Sequence, residues 1–182
     1  DLRSNKLTAF DYDLPELINL NLGNEGSAGV KKYGENSFTS IEFSKLPKLE
    51  ILTINYAGYA VDFTKIPAVK EVYAMGNGMT SVDLSQNTAL TDLTLSYNEL
   101  TTVDALSINK ARISLQYNKI SSLKVNEGLS SLVIDNNNLT FATLPDVEKV
   151  AGYCAYSPQN PMEVTSAYGR VDLASQAKVG ET

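Results

Sequence analysis

Histidine and tryptophan are missing from this chain of 182 residues, and Cys154 is its one cysteine. Without histidine, the chain cannot form a Ser-His-Asp triad or a histidine-ligated metal site. One thiol cannot form a disulfide within the chain or a Cys/His zinc site. Because no histidine is present to activate it, Cys154 is expected to be a buried structural thiol.

Basic residues are also scarce, since 15 Lys and Arg face 21 Asp and Glu, for a formal net charge of −6. This balance argues against binding nucleic acid through its phosphates. No apolar run approaches the ~18 residues of a membrane span. The hydrophobic fraction of 43% is ordinary for a folded chain, and the length suits one domain with a short appendage.

A pattern of the form L-x-x-L-x-L-x-x-N-x-L recurs along the chain. Residues 90–100 and 129–139 match it at every position. Residues 110–120 lose the first apolar position, and residues 69–79 keep the asparagine and four apolar positions. A second, weaker pattern, L-T-S-V-D-L at 79–84, has relatives in each period. Two features that share one period indicate a repeat architecture.

The remaining copies are incomplete. Residues 49–59 and 17–27 keep the first half of the pattern but place Ala57 and Glu25 at the asparagine position. A last, degenerate copy is read from Val147. The copies start at positions 17, 49, 69, 90, 110, 129 and 147, so the spacings are 32, 20, 21, 20, 19 and 18 residues. The spacing of 32 indicates an insertion at about 26–37.

Spacing within the pattern predicts the structure of one repeat. In L-x-L the two apolar side chains lie on one face of a strand, which cannot bury that face alone. Copies stacked about 4.8 Å apart as a parallel sheet bury it. A period of about 20 residues leaves little room for a return helix of ~10 residues, so extended or 3₁₀ returns are expected. The asparagine is expected to point inward and bond to backbone groups.

This pattern resembles the leucine-rich repeat, most clearly at 79–100, MTSVDLSQNTALTDLTLSYNEL, and the resemblance covers 1–157. The doubled form is similar to the short 21-residue class common in secreted and surface proteins of Bacteroidetes. The resemblance implies a right-handed solenoid whose parallel β-sheet lines the concave face, with few or no long helices. It also implies an exported bacterial protein associated with the outer membrane, with a lipid anchor upstream as one possibility.

Both ends of the chain depart from the regular repeat. Residues 1–7 are interpreted as the second half of another repeat, with Leu2 on a strand and Asn5 at the turn. Residues 158–182 are interpreted as a C-terminal cap and linker, with the start of an Ig-like module as an alternative suggested by the family resemblance.

Aromatic residues mark one candidate binding surface. Tyr56, Tyr97 and Tyr117 each precede the asparagine position, and Tyr73 lies on a predicted strand. Tyrosine offers rigid amphipathic contact area of the kind enriched in binding hot spots. The alternative is that these rings stack on one another and brace the turns. Arg112, at an outward strand position, is assigned to the same surface.

The insertion is the second candidate, since Lys31, Lys32 and Tyr33 lie in it and repeat insertions often form binding loops. The alternative is a tolerated surface loop without a role. A row of acidic residues recurs after the turn, where a calcium site and a solvated surface row are the two interpretations. The row comprises Asp11, Glu42, Asp62, Asp83 and Asp104, and Lys124 interrupts it.

The favoured function is therefore a non-enzymatic module that binds a protein or glycan on its concave sheet, without a cofactor. The first alternative is a rigid spacer that presents neighbouring domains. A hydrolase that uses pairs of carboxylates is a remote alternative, because acidic residues are plentiful but nothing in the sequence places two in a cleft.

Overall fold

The computed structural model describes residues 1–25, 35–146, 148–150, 152–161, 166–167 and 170–171. Over these residues the chain is a parallel β-solenoid in which each repeat contributes a short strand to a common sheet. The strands in chain order are β1 (Ala9–Phe10), β2 (Asn19–Asn21), β3 (Ser40–Ile41), β4 (Ile51–Thr53), β5 (Glu71–Tyr73), β6 (Asp92–Thr94), β7 (Thr102–Ala105), β8 (Arg112–Ser114), β9 (Ser122–Val125), β10 (Ser131–Val133), β11 (Tyr153–Ala155), β12 (Ser166–Ala167) and β13 (Arg170–Val171).

Seven of these strands form the main sheet, in the spatial order β2, β4, β5, β6, β8, β10, β11, and every neighbouring pair is parallel. The middle residue of each strand faces the core, and these residues pair in register across the sheet. They are Leu20, Leu52, Val72, Leu93, Ile113, Leu132 and Cys154. The parallel sheet predicted from the L-x-L spacing is thus confirmed.

The core runs the length of the solenoid as stacked rows of apolar side chains. Two residues after each middle position comes a second buried row, which includes Ile54, Leu95, Leu115 and Ile134, each with 0% exposure. The weaker sequence pattern forms the opposite wall, where β1 pairs with β3 and β7 pairs with β9, also in parallel. Each turn is covered by the turn before it and the turn after it, so apolar side chains that a single repeat would expose are buried.

The returns between strands are short, as expected. Two of them contain single 3₁₀ turns, Phe43–Lys45 and Phe63–Lys65, and each places its phenylalanine in the core. No helix among the described residues is long and apolar enough to cross a membrane.

A ladder of buried asparagines holds successive turns together. The Oδ1 atom of Asn98 accepts hydrogen bonds from the backbone amides of Asn77 and Met79 in the preceding turn, at 2.9 and 3.1 Å. Its Nδ2 atom donates to the carbonyls of Ala74 and Leu95, at 3.0 and 2.9 Å. The same position is held by Asn77, Asn98, Asn118 and Asn137, all buried. The inward asparagine predicted from the sequence is confirmed.

A further asparagine of this ladder lies at the end of the insertion. The sequence places Glu25 at the asparagine position, but the structure shows Asn36 there. Asn36 Oδ1 accepts from the amide of Asn5 at 2.9 Å, and Asn36 Nδ2 donates to the carbonyls of Leu2 and Leu22 at 2.8 Å each. The interpretation of a lost asparagine is therefore wrong, because the insertion falls between the strand and its ladder residue.

Asn24 compensates for the turn that does lack a ladder asparagine, where Ala57 stands. Its Oδ1 atom accepts from the amide of Asn36 at 2.6 Å, as a ladder asparagine in the next turn would. Its Nδ2 atom donates to the carbonyls of Asn36 and Tyr56, at 2.8 and 2.9 Å. The insertion thus starts and ends at two asparagines that are bonded to each other.

The last turn has a different register from the one read in the sequence. Cys154 pairs with Leu132, so this copy starts at position 151 and not at Val147. The thiol is half-buried at the end of the core, and this burial raises its pKa.

Gln159 holds the ladder position of that last turn. Its Oε1 atom accepts from the amide of Leu139 at 3.2 Å, and its Nε2 atom donates to the carbonyl of Ile134 at 3.0 Å. Sequence reasoning missed this turn because Cys154 replaces leucine and Gln159 replaces asparagine. Most of the predicted cap and linker lies outside the described residues, apart from 158–161 and the antiparallel pair formed by β12 and β13.

Candidate binding face

The outward side of the main sheet is called here the sheet face. Each three-residue strand turns its first and third residues outward. These residues are Asn19, Asn21, Ile51, Thr53, Glu71, Tyr73, Asp92, Thr94, Arg112, Ser114, Ser131, Val133, Tyr153 and Ala155. Glu71, Asp92 and Arg112 among them are charged, a share close to that of the whole chain, and eight of the others carry hydroxyl or amide groups.

Tyr56, Tyr97 and Tyr117 line one border of this face and are called the tyrosine column. Each lies three residues after a strand, with φ between 56° and 59°, in the left-handed region. Gly76 and Asn136 hold the same position in two other turns, at φ 65° and 55°. This conformation suits glycine and asparagine, whereas it costs a bulky side chain roughly 1 kcal/mol. Tyrosine is thus retained three times at a position that penalises it.

The rings of the column lie against their neighbours. Tyr97 and Tyr117 stack with centroids 4.5 Å apart and planes inclined by 9°. The ring of Tyr56 covers Gly76, where a Cβ atom would collide with it, so glycine is needed there. The pKa of Tyr97 is raised, chiefly by loss of water around its hydroxyl and secondly by the neighbouring Tyr117 hydroxyl. The alternative of stacked rings is therefore observed, although the Tyr117 side chain stays 43% exposed.

Tyr73 and Arg112 belong to a separate cluster in the middle of the sheet face. The Tyr73 hydroxyl donates to Glu71 at 3.0 Å, and Arg112 bonds Asp92 across neighbouring strands at 2.6 Å. Burial, followed by the Glu71 contact, raises the pKa of Tyr73. The Asp92 carboxylate raises the pKa of Arg112. The structure thus separates these two predicted site residues from the tyrosine column.

Hydroxyl and amide groups fill the space between this cluster and the column. Ser96 Oγ lies 3.0 Å from Ser114 Oγ, which in turn donates to Gln116 Oε1 at 3.3 Å. In the part of the chain that the structure describes, the Nε2 group of Gln116 has no hydrogen-bond partner. Sequence reasoning ranked these outward positions no higher than others, because only the register shows that they adjoin Tyr97 and Tyr117.

The second candidate, the inserted loop, falls mostly outside the described residues. Lys31, Lys32 and Tyr33 lie outside the described residues. Asn24, just before the loop, donates to the carbonyl of Tyr56 at 2.9 Å. The residue before the insertion therefore contacts the backbone of Tyr56, the first residue of the column.

Three members of the acidic row accept hydrogen bonds from backbone amides. Asp62 accepts from the amide of Thr64 at 3.1 Å, Asp83 from that of Ser85 at 2.9 Å, and Asp104 from that of Leu106 at 3.2 Å. Each of these bonds joins a carboxylate to the amide two residues later, and Asp104 belongs to β7 of the opposite wall. Over the described residues, no group of three or more Asp, Glu or Cys side chains is placed to hold a metal ion.

Two carboxylates are neighbours on the sheet face, since Glu71 and Asp92 are register partners on β5 and β6. Each is engaged, Glu71 by the Tyr73 hydroxyl and Asp92 by Arg112. The Asp92 carboxylate is 15% exposed and the Arg112 side chain 69%. Each of these two carboxylates is thus hydrogen-bonded within the sheet face.

Comparisons with known proteins were made against family models, curated proteins and solved structures, and none of the three produced a match.

Proposed function

We propose that this chain is a non-enzymatic recognition module of the leucine-rich repeat type, from an exported bacterial surface protein, and that it binds a protein or glycan on its sheet face. The repeat pattern and the solenoid support the first part. The composition of the sheet face, rich in tyrosine, serine, threonine and asparagine, carries the second.

Two physical features support binding on this face. Tyrosine, serine and asparagine combine rigid contact area with adaptable hydrogen bonding at low entropic cost, as in antibody combining sites. The tyrosine column also keeps its rings despite the left-handed backbone, and strained residues of this kind cluster at functional sites. A surface whose only task is solvation needs neither feature.

Binding to arrayed glycans and to defined bacterial and host surface proteins tests the proposal. The double change of Tyr97 and Tyr117 to serine should abolish capture of any ligand that the wild-type chain retains. The matched control is Tyr12→Ser, because Tyr12 is 58% exposed and lies away from the sheet face. Unchanged capture by the double variant would move the binding site elsewhere.

A rigid spacer is the second candidate, and the bonding between turns favours it. Each ladder asparagine ties one turn to the preceding one, so the solenoid resists bending at every step. A spacer predicts that no change on the sheet face affects the biological role, whereas changes in the length of the solenoid do. A carboxylate-dependent hydrolase remains the remote alternative, which requires turnover of a polysaccharide or peptide.

A further inference from the structure

We infer that Tyr97 and Tyr117 form a site of oxidative cross-linking, at which a one-electron oxidant joins the two rings as dityrosine. The new bond ties two successive turns of the solenoid together. The inference follows from the contact between the two rings, from their exposure, and from the equivalent positions that they hold in neighbouring turns. It is independent of what the sheet face binds.

The contact between the two rings comes first. Their centroids lie 4.5 Å apart and their planes are inclined by 9°. Both residues hold the same left-handed position in successive turns, with φ of 59° for Tyr97 and 56° for Tyr117. Because equivalent backbone positions carry nearly parallel rings, each ring atom lies close to its counterpart. Among the described residues this is the one stacked aromatic pair, since Phe10 and Tyr12 meet edge to face.

The exposure of the pair comes second. The Tyr117 side chain is 43% exposed, so an oxidant in solution reaches its ring. Tyr97 is half-buried beside it, so a tyrosine of another chain reaches Tyr97 less easily than Tyr117 does. A radical at this site therefore meets its partner within the same chain.

The chemical step uses both phenol groups. Each phenol gives one electron to the oxidant and its hydroxyl proton to water, which leaves a phenoxyl radical. The two rings then turn from face-to-face to edge-to-edge contact, and the radicals couple in one C–C bond between the carbons ortho to their oxygens. The hydrogens on these two carbons leave as protons while both oxygens take up protons, so the hydroxyls are restored. In total the oxidant gains two electrons, the solvent gains two protons, and the chain loses two hydrogen atoms.

The cross-link provides a covalent tie that the chain cannot form in another way. Cys154 is its one cysteine, so no disulfide can join two turns. A bond between Tyr97 and Tyr117 closes a loop in the unfolded chain and lowers the entropy of that state, as a disulfide does. The cross-linked chain should therefore resist unfolding better than the unmodified chain.

Photo-oxidation of the whole chain with a ruthenium tris-bipyridyl complex and persulfate tests the inference, because this reagent withdraws single electrons from tyrosine. The chain is kept dilute so that separate chains rarely meet. Trypsin leaves Tyr97 in the peptide 71–110 and Tyr117 in the peptide 113–119. Mass spectrometry therefore detects the cross-link as these two peptides joined with the loss of two hydrogen atoms, and fragment ions distinguish Tyr97 from Tyr73.

The decisive variant is Tyr117→Phe. Phenylalanine keeps the stacked ring, so the variant should fold, but it has no hydroxyl from which a phenoxyl radical can form. Tyr12→Phe is the matched control, because Tyr12 is 58% exposed and lies away from the sheet face.

In the oxidised wild-type chain, the joined peptides should be the main cross-linked product, and the urea midpoint of unfolding should rise above that of the unoxidised chain. Tyr117→Phe should lose both the joined peptides and the rise, whereas Tyr12→Phe should keep both. Absence of the joined peptides from the oxidised wild type overturns the inference. So does a cross-link that uses Tyr73 or that joins separate chains instead, or a urea midpoint that stays unchanged when the peptides are joined.

Discussion

At the scale of single residues, the solenoid depends on one buried amide per turn. Asn118 and Asn137 repeat the bonds of Asn98, and Asn36 and Gln159 extend the ladder into turns where the sequence pattern breaks. Each of these side chains satisfies backbone groups that would otherwise be buried without partners. Such groups are costly because the interior offers no water to replace a lost partner.

Asn98→Ala should lower the free energy of unfolding by about 4 kcal/mol, since it leaves two backbone amides and two carbonyls of the core short of a partner. A loss of that size is a large part of the stability of a domain. Urea unfolding followed by circular dichroism measures it. A loss below 1 kcal/mol would show that water replaces the asparagine.

Replacing Asn87, unlike Asn98, should stabilise the fold. Asn87 is fully buried, and its Oδ1 atom has no hydrogen-bond partner among the described residues. Its Nδ2 atom donates to the carbonyls of Phe63 and Ile66, which also accept backbone bonds. Ile66 and Ile108 occupy the position of Asn87 in the two neighbouring turns, and both are buried. Asn87→Ile should therefore raise the free energy of unfolding by about 1 kcal/mol in the same urea assay. A clear loss would mean that the Oδ1 atom is satisfied after all.

Asp83 makes stability depend on pH. Hydrogen bonds from the Ser85 hydroxyl and amide lower the pKa of Asp83 in the folded chain. A lowered folded pKa stabilises the fold above the unfolded value of about 4, and this contribution is lost as the pH falls through the folded pKa. Asp83→Asn should therefore lose less stability than the wild type below about pH 4. Equal acid limbs in the two thermal unfolding profiles would contradict this.

At the scale of elements, neighbouring turns are matched by charge. Six ion pairs join the same position in two successive turns, and in each the acid belongs to the earlier turn. The pairs are Glu16–Lys48, Glu50–Lys70, Asp92–Arg112, Glu99–Lys119, Asp104–Lys124 and Glu127–Lys149. If two successive turns carried the same charge at such a position, stacking in register would place like charges side by side. Exposed pairs of this type are weak individually, so their effect is on register more than on stability.

Exchange of one pair tests this matching. Lys119→Glu places two acids side by side and should destabilise the chain by about 0.5 kcal/mol at low salt. The double exchange of Glu99 to lysine and Lys119 to glutamate should restore wild-type stability, because the opposite charges meet again. Both effects should shrink at 500 mM salt. A double variant no more stable than the single one would show that the two side chains do not interact.

The strands show how far a repeat pattern can be read. Periodicity predicts β4, β6, β8 and β10 because the spacing of apolar residues sets which side chains share a face. It fails at β11, where Cys154 and Gln159 replace the residues that mark the frame. It also fails after β2, because an insertion separates strand and ladder residue. In both places the neighbouring turn, and not the local sequence, determines the register.

At the scale of the whole molecule, the sheet face exists only because the turns stack in register. The pattern predicts which residues face outward, but contacts between turns decide which of them meet. Tyr97 and Tyr117 are brought together, whereas Tyr73 is placed with Glu71 and Arg112. The contact between Tyr97 and Tyr117 therefore required the structure, since the two rings come from different turns.

The most direct test of this stacking is cross-linking between neighbouring strands. Thr94 and Ser114 are register partners on β6 and β8. With Cys154 changed to serine, a chain carrying cysteines at both positions should form an intramolecular disulfide on mild oxidation, because adjacent strands lie about 4.8 Å apart. Cysteines in place of Thr94 and Val133, two strands apart, should stay reduced. Cross-linking of the distant pair, or none of the register pair, would contradict the parallel solenoid.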